Sequence, residues 1–99
     1  MSDFGSRLRK ARIQAKLSQE QLGIEAGLEP ASASTRMNRY ELGKRVPAQQ
    51  IVHQLALVLK VPTAYFYSDN NDEASLLLNY HRLSKAKKQQ VNELIQSLM

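Results

Sequence analysis

The sequence predicts an all-α protein, with five short helices followed by a C-terminal helical extension. Strand signals are weak, because no stretch sustains an apolar–polar alternation and no Asn-Gly or Asp-Gly turn joins two apolar runs. Residues that begin and end helices recur along the chain instead. The 99 residues include no cysteine, so the chain must build a modest core without disulfides and has no thiol catalyst or Cys–zinc site.

The first helix is predicted from Asp3, a possible N-cap, to about Ala15. Phe4, Leu8, Ala11 and Ala15 recur at helical spacing and form one apolar face. The basic residues of this segment lie off that face, which leaves them free to meet solvent or a partner.

The second helix has the clearest start in the sequence. Ser18 and Gln21 form a capping box, in which each side chain satisfies a free backbone N–H group. Gly27 suits a left-handed helix end. Gly23 inside the helix costs about 1 kcal/mol relative to alanine. We therefore expect another helix to cross closely at Gly23.

A third helix is predicted to begin at Pro30 and to stop at Gly43. Its positions separate into a scaffold face and an outer polar face. The scaffold face comprises Ala33, Met37, Tyr40 and Glu41, and the outer face comprises Thr35, Asn38, Arg39 and Leu42.

The remaining helices follow a short basic loop at 43–47. A fourth helix is predicted from about Ala48 to Leu59, and Pro62 precedes a short fifth helix that Thr63 can cap. Residues 1–68 are thus one predicted domain. Residues 69–99 are predicted as a polar linker at 69–72 and a helical segment whose last apolar stripe is Val91, Leu94, Ile95 and Leu98. Ser84 is a candidate cap and break in this segment, but the lysines at 85, 87 and 88 indicate either a helix that continues through it or a second phosphate contact.

The formal charge of +5 is unevenly placed along the chain. Residues 1–66 carry ten Lys/Arg and five Asp/Glu, whereas residues 67–99 carry four of each. A local excess of this kind favours a polyanionic partner, although many proteins carry a basic helix without one.

Two short helices joined by a glycine-containing turn, the second with a polar outer face, are typical of a helix-turn-helix. The chain resembles the Cro/CI-type (lambda-repressor-like, xenobiotic-response-element class) family over roughly residues 4–67. The resemblance rests on Leu8-Arg9-Lys10-Ala11-Arg12, Leu17-Ser18-Gln19-Glu20-Gln21-Leu22, Ala26-Gly27, Arg39-Tyr40-Glu41-Leu42-Gly43-Lys44-Arg45-Val46-Pro47 and Leu55-Ala56-Leu57-Val58-Leu59-Lys60-Val61-Pro62.

The resemblance implies a five-helix domain that binds double-stranded DNA, with roles for individual residues. Arg12 and Glu41 match a buried structural ion pair, and Gln19, Lys44 and Arg45 match contacts to phosphates. Base reading in the major groove falls to polar positions of the third helix, since arginine can bond guanine and threonine can touch a thymine methyl. These positions are Ser32, Ser34, Thr35, Arg36, Asn38 and Arg39.

The chain departs from the family pattern in two respects. It is about four residues longer between Gly27 and Glu41, which either lengthens the third helix or enlarges the turn. Lys16 and Lys60 stand where the family often has glycine, so either could end its helix with modest left-handed strain.

The leading functional hypothesis is a cytoplasmic transcriptional regulator, acting as a repressor and as a homodimer through residues 73–99. The alternative is an antitoxin or protein-sequestering module that uses the same segment on a different protein. We expect no enzyme activity, cofactor or metal, because His53 and His81 lack carboxylate or cysteine companions. No apolar run is long enough for a membrane span.

Overall fold

The computed structural model describes residues 4–99, which form seven α-helices and, within that range, no strand. The all-α prediction is thereby confirmed, while the predicted cap at Asp3 lies outside the described residues. The helices are α1 (Phe4–Gln14), α2 (Gln19–Glu25), α3 (Pro30–Glu41), α4 (Gln49–Leu59), α5 (Thr63–Tyr67), α6 (Asn71–His81) and α7 (Lys85–Leu98).

The core lies among the first five helices and receives one buried residue, Ala74, from α6, with the partly buried Leu78 packed against it. On α1, Leu8 and Ala11 are buried as expected, but Ala15 is exposed because the helix ends at Gln14, before the apolar face can continue. The largest side chains with almost no exposure are Phe66, Leu8, Leu22, Met37, Leu55 and Val52.

Four helices end at a residue in the left-handed region. These residues are Lys16, Gly27, Gly43 and Lys60, with φ of 60°, 95°, 74° and 57° respectively. Each one allows the following N–H group to bond back into the last turn, as in Leu17 N–H to Arg12 O at 3.2 Å. Both lysines therefore end their helices with left-handed strain, as the sequence predicts.

The C-terminal segment differs from its prediction at its start. Asn70 caps α6 by accepting from the N–H of Glu73 at 2.9 Å, so the predicted polar linker at 69–72 contributes its second half to the first turn of α6. Ser84 separates α6 from α7 and caps α7, so the helix does not continue through it. None of the described helices is long and apolar enough to cross a membrane.

Candidate nucleic-acid interface

Gly23 lets α2 and α3 approach each other closely. A Cβ atom built on Gly23 would lie 2.9 Å from Cβ of Ala33 and 3.1 Å from Cγ of Met37. The close crossing predicted from this glycine is confirmed. Both neighbours belong to the buried face of α3, so the opposite face of α3 is turned away from the protein.

The turn between α2 and α3 is closed by backbone hydrogen bonds and by one apolar side chain. Leu28 N–H donates to Gly23 O at 2.9 Å and Gly27 N–H donates to Ile24 O at 3.0 Å. Leu28 is only 4% exposed, so it belongs to the core, a role that sequence reasoning missed. A hydrophobic residue one position after a left-handed glycine is the signal that indicates it.

The structure resolves where the additional residues before α3 lie. Pro30 is the first residue of α3, and Ser32 N–H already bonds to Glu29 O at 3.0 Å. Residues 30–32 are therefore helical, and the residues between α2 and α3 make a short turn. The additional length at 30–32 thus lies within α3, whereas Leu28 and Glu29 lie in the turn.

The outward face of α3 is polar and accessible. Ser34, Thr35, Asn38 and Arg39 are exposed, as a base-reading role requires. Ser32 is half-buried, and its hydroxyl lies 3.5 Å from Glu29 O at the start of the helix. The exposed positions thus extend through the middle and the C-terminal half of α3.

Arg36 is less free than the neighbouring candidates. Its Nη2 donates to the Tyr40 hydroxyl at 2.9 Å, and its guanidinium carbon lies 5.9 Å from the centroid of that ring. With Arg39 and Arg45 these residues line a surface cleft of about 220 Å³. Three arginines around one cleft make this end of α3 a cationic surface, suited to phosphate or to guanine.

The loop after α3 supplies Arg45 of this cleft and adds one more cation, Lys44, next to it. Lys44 N–H and Arg45 N–H both approach Arg39 O, at 2.9 and 3.4 Å, so the loop folds back over the last turn of α3. Lys44 and Arg45 are exposed. The outer face of α3 and this loop consequently form one continuous surface, which we call the α3 surface.

Glu41 joins three helices beneath the α3 surface. Arg12 Nε donates to Glu41 Oε2 at 2.6 Å and Arg12 Nη2 donates to Glu41 Oε1 at 3.1 Å. The two side chains are 13% and 2% exposed. Arg12 Nη1 also donates to Leu17 O at 3.0 Å, which satisfies a carbonyl just after α1.

Gln19 turns inward to the same carboxylate. Its Nε2 donates to Glu41 Oε1 at 3.1 Å and lies 3.3 Å from Asn38 Oδ1. The side-chain N–H groups predicted to bind phosphate are thus engaged within the protein, and they hold Asn38 in place. The structure brings Gln19 to the edge of the α3 surface, whereas Arg12 and Glu41 lie below it.

Comparison with known proteins gives three findings. The model of the helix-turn-helix domain family matches residues 3–64. The uncharacterized HTH-type transcriptional regulator RghRB of Bacillus subtilis (strain 168) is 41% identical over 63 residues, which are 63% of this chain and 42% of that protein. The chain therefore spans about two fifths of the length of this curated relative.

A solved structure extends the similarity to the C-terminal helices. The crystal structure of the transcriptional regulator BswR is 41% identical, has a TM-score of 0.88, and is matched over 94% of this chain and 92% of that chain. The likeness thus includes α6 and α7 as well as the helix-turn-helix. Because the family model covers well over half of the residues, the chain belongs to the helix-turn-helix domain family.

Proposed function

We propose that this protein is a transcriptional regulator that binds double-stranded DNA and reads the major groove with α3. The observation that carries the proposal is the α3 surface, in which exposed polar side chains adjoin a cleft lined by Arg36, Arg39 and Arg45. The major groove admits an α-helix, and cations beside that helix can bind the phosphates that flank it. The relatives named as transcriptional regulators support the same conclusion.

We further propose that the regulator acts as a repressor, because a protein that occupies a promoter blocks transcription without any additional activity. Gel shifts with genomic fragments at about 0.15 M salt test DNA binding, since specific complexes persist where electrostatic binding weakens. A reporter fused to the selected fragment then gives the sign of regulation. Weak binding that ignores sequence would contradict the proposed function.

Arg39→Ala is expected to weaken specific binding by about 1–3 kcal/mol and to relax the preference at one base pair. Arg39 is exposed on α3 beside the cleft, so its loss removes a base contact without disturbing the core. Binding to the selected duplex and to single-base variants of it would be compared by fluorescence anisotropy.

Lys44→Ala is the matched control, because Lys44 is exposed in the adjoining loop and carries the same charge. It should weaken binding to all sequences similarly and reduce the salt dependence by about one phosphate contact. If Arg39→Ala, like Lys44→Ala, kept its base preference while binding all sequences more weakly, Arg39 would contact the backbone only.

We propose that the protein is a homodimer and that α7 supplies the interface. Residues 69–99 would then form a dimerisation segment attached to the DNA-binding domain of residues 1–68. The exposed fractions of Leu94, Ile95 and Leu98 are 60%, 42% and 78%, and no described residue of α7 is buried. Two copies paired through this stripe could place two α3 helices about 34 Å apart, one turn of DNA.

Ile95→Glu is expected to convert the dimer into monomers, because a carboxylate would be buried in the apolar interface. Sedimentation equilibrium measures the change, with Gln90→Glu as the control, since Gln90 is an exposed polar residue of the same helix. The wild-type chain could instead stay monomeric and bind a different protein in a stoichiometric complex in a pull-down. That result would favour the antitoxin or sequestering function.

A further inference from the structure

Helix α6 is fastened to the helix-turn-helix domain at its N-terminal end by Arg7 of α1. Arg7 Nε donates to Ser68 O at 3.1 Å, and Arg7 Nη2 donates to Asn71 Oδ1 at 3.1 Å. The same guanidinium lies 5.7 Å from the centroid of the buried Tyr65 ring. One side chain thereby connects α1, α5 and the first residue of α6.

A second arginine fastens the opposite end of α6. Arg82, the C-cap residue of α6, donates from Nε to Lys60 O at 3.0 Å and from Nη2 to Leu59 O at 3.3 Å. These carbonyls end α4 at its left-handed cap, where the helix itself supplies no donors. A cation is also favourable at this negative end of the helix dipole.

The middle of α6 contributes a third attachment. Ala74 is 1% exposed, and Leu78 packs against the core. Helix α7 contacts α6, because Asn92 Nδ2 donates to the Tyr80 hydroxyl at 3.1 Å and Lys88 Nζ lies 5.5 Å from that ring. The orientation of α7 relative to α3 therefore depends on the way α6 sits on the domain.

We infer that Arg7 and Arg82 are positioning residues that set the distance between the two α3 helices of the dimer, and so the spacing of the DNA half-sites that it selects. The inference rests on the proposed function. The longest dimension of the chain is 51 Å, and half of this length is about 25 Å. If α6 rotated on the domain by about 10°, a point about 25 Å away would move by roughly 4 Å, which is about the rise of one base pair.

The first test measures, in the absence of DNA, how firmly α6 is held on the helix-turn-helix domain. The chain has no cysteine, so Glu25→Cys and Asn79→Cys, both at exposed positions, carry a pair of spin labels, diluted with unlabelled protein. The wild-type pair should give one narrow distance distribution, and Arg82→Ala should broaden it at least twofold. Arg82→Lys should give a distribution of intermediate width. Arg9→Ala, which replaces an exposed arginine of α1, should leave the width unchanged. An unchanged width in Arg82→Ala would overturn the inference.

The second test selects binding sites from random duplexes. Wild-type protein should select inverted half-sites at one spacing, whereas Arg82→Ala and Arg7→Gln should accept spacings one or two base pairs shorter or longer, with the same half-site sequence. A merely structural loss would lower binding at every spacing alike and would overturn the inference. A wild type that selects only single half-sites would contradict both the homodimer proposal and the role of Arg7 and Arg82 in half-site spacing. The spin-label distances would still report separately whether Arg82 holds α6 on the domain.

Discussion

Replacing Arg12 with methionine is expected to lower the free energy of unfolding by about 3–5 kcal/mol, the usual cost of removing one partner of a buried ion pair. The Glu41 carboxylate is 2% exposed and receives two hydrogen bonds from Arg12. Without them it keeps only the amide of Gln19. Urea denaturation followed by circular dichroism measures the change.

The double variant Arg12→Met/Glu41→Met is the informative control. It removes the charge that the single variant leaves buried, so it should be more stable than Arg12→Met alone. A double variant that is less stable than either single variant would show that the pair matters through packing rather than through charge. DNA affinity should follow the same order, because Glu41 is the last residue of α3.

Gly5→Ala is expected to destabilise the protein by about 3 kcal/mol, at the upper end of the cost of overpacking a core. A Cβ atom at this position would lie 2.7 Å from the carbonyl carbon of Glu41 and 2.8 Å from Tyr40 O. These are backbone atoms, so no side-chain rotation can make room. Helix α1 would have to move away from α3, which also separates Arg12 from Glu41.

Thermal unfolding compares Gly5→Ala with Lys10→Ala, an exposed position of the same helix whose replacement should change stability by no more than about 0.5 kcal/mol. Gly23→Ala should lower the stability by an intermediate amount, because the atoms nearest to the added Cβ belong to the side chains of Ala33 and Met37. A Gly5→Ala variant as stable as Lys10→Ala would contradict the close approach of α1 to α3.

Local signals in the sequence predict most of the helix boundaries. The capping box of Ser18 and Gln21, the caps at Gly27 and Ser84, and the first-turn Pro30 act within a few residues, so their effects can be read without a fold. The start of α6 differs from its prediction because Asn70 stands in a run of polar residues that is typical of a linker, whereas in the structure its side chain caps the helix.

The candidate site is predictable in part. The periodicity of α3 separates Ala33 and Met37, which are buried, from Thr35 and Arg39, which are exposed, because a regular helix assigns every residue to a face. Periodicity does not report which exposed side chain bonds to a neighbour. The sequence therefore predicts DNA contacts for Arg36 and Gln19 and does not show that Arg36 bonds to Tyr40 and Gln19 to Glu41.

The sequence alone determined the helical class, the helix-turn-helix and the polar face of α3, because these follow from spacing along the chain. Only the tertiary structure decided that Gly5 lies against the backbone of α3, that Leu28 belongs to the core, and that Arg82 bonds to the end of α4. Each of these contacts joins residues from separate elements. Spacing within one helix carries no information about the atoms that another helix brings to it.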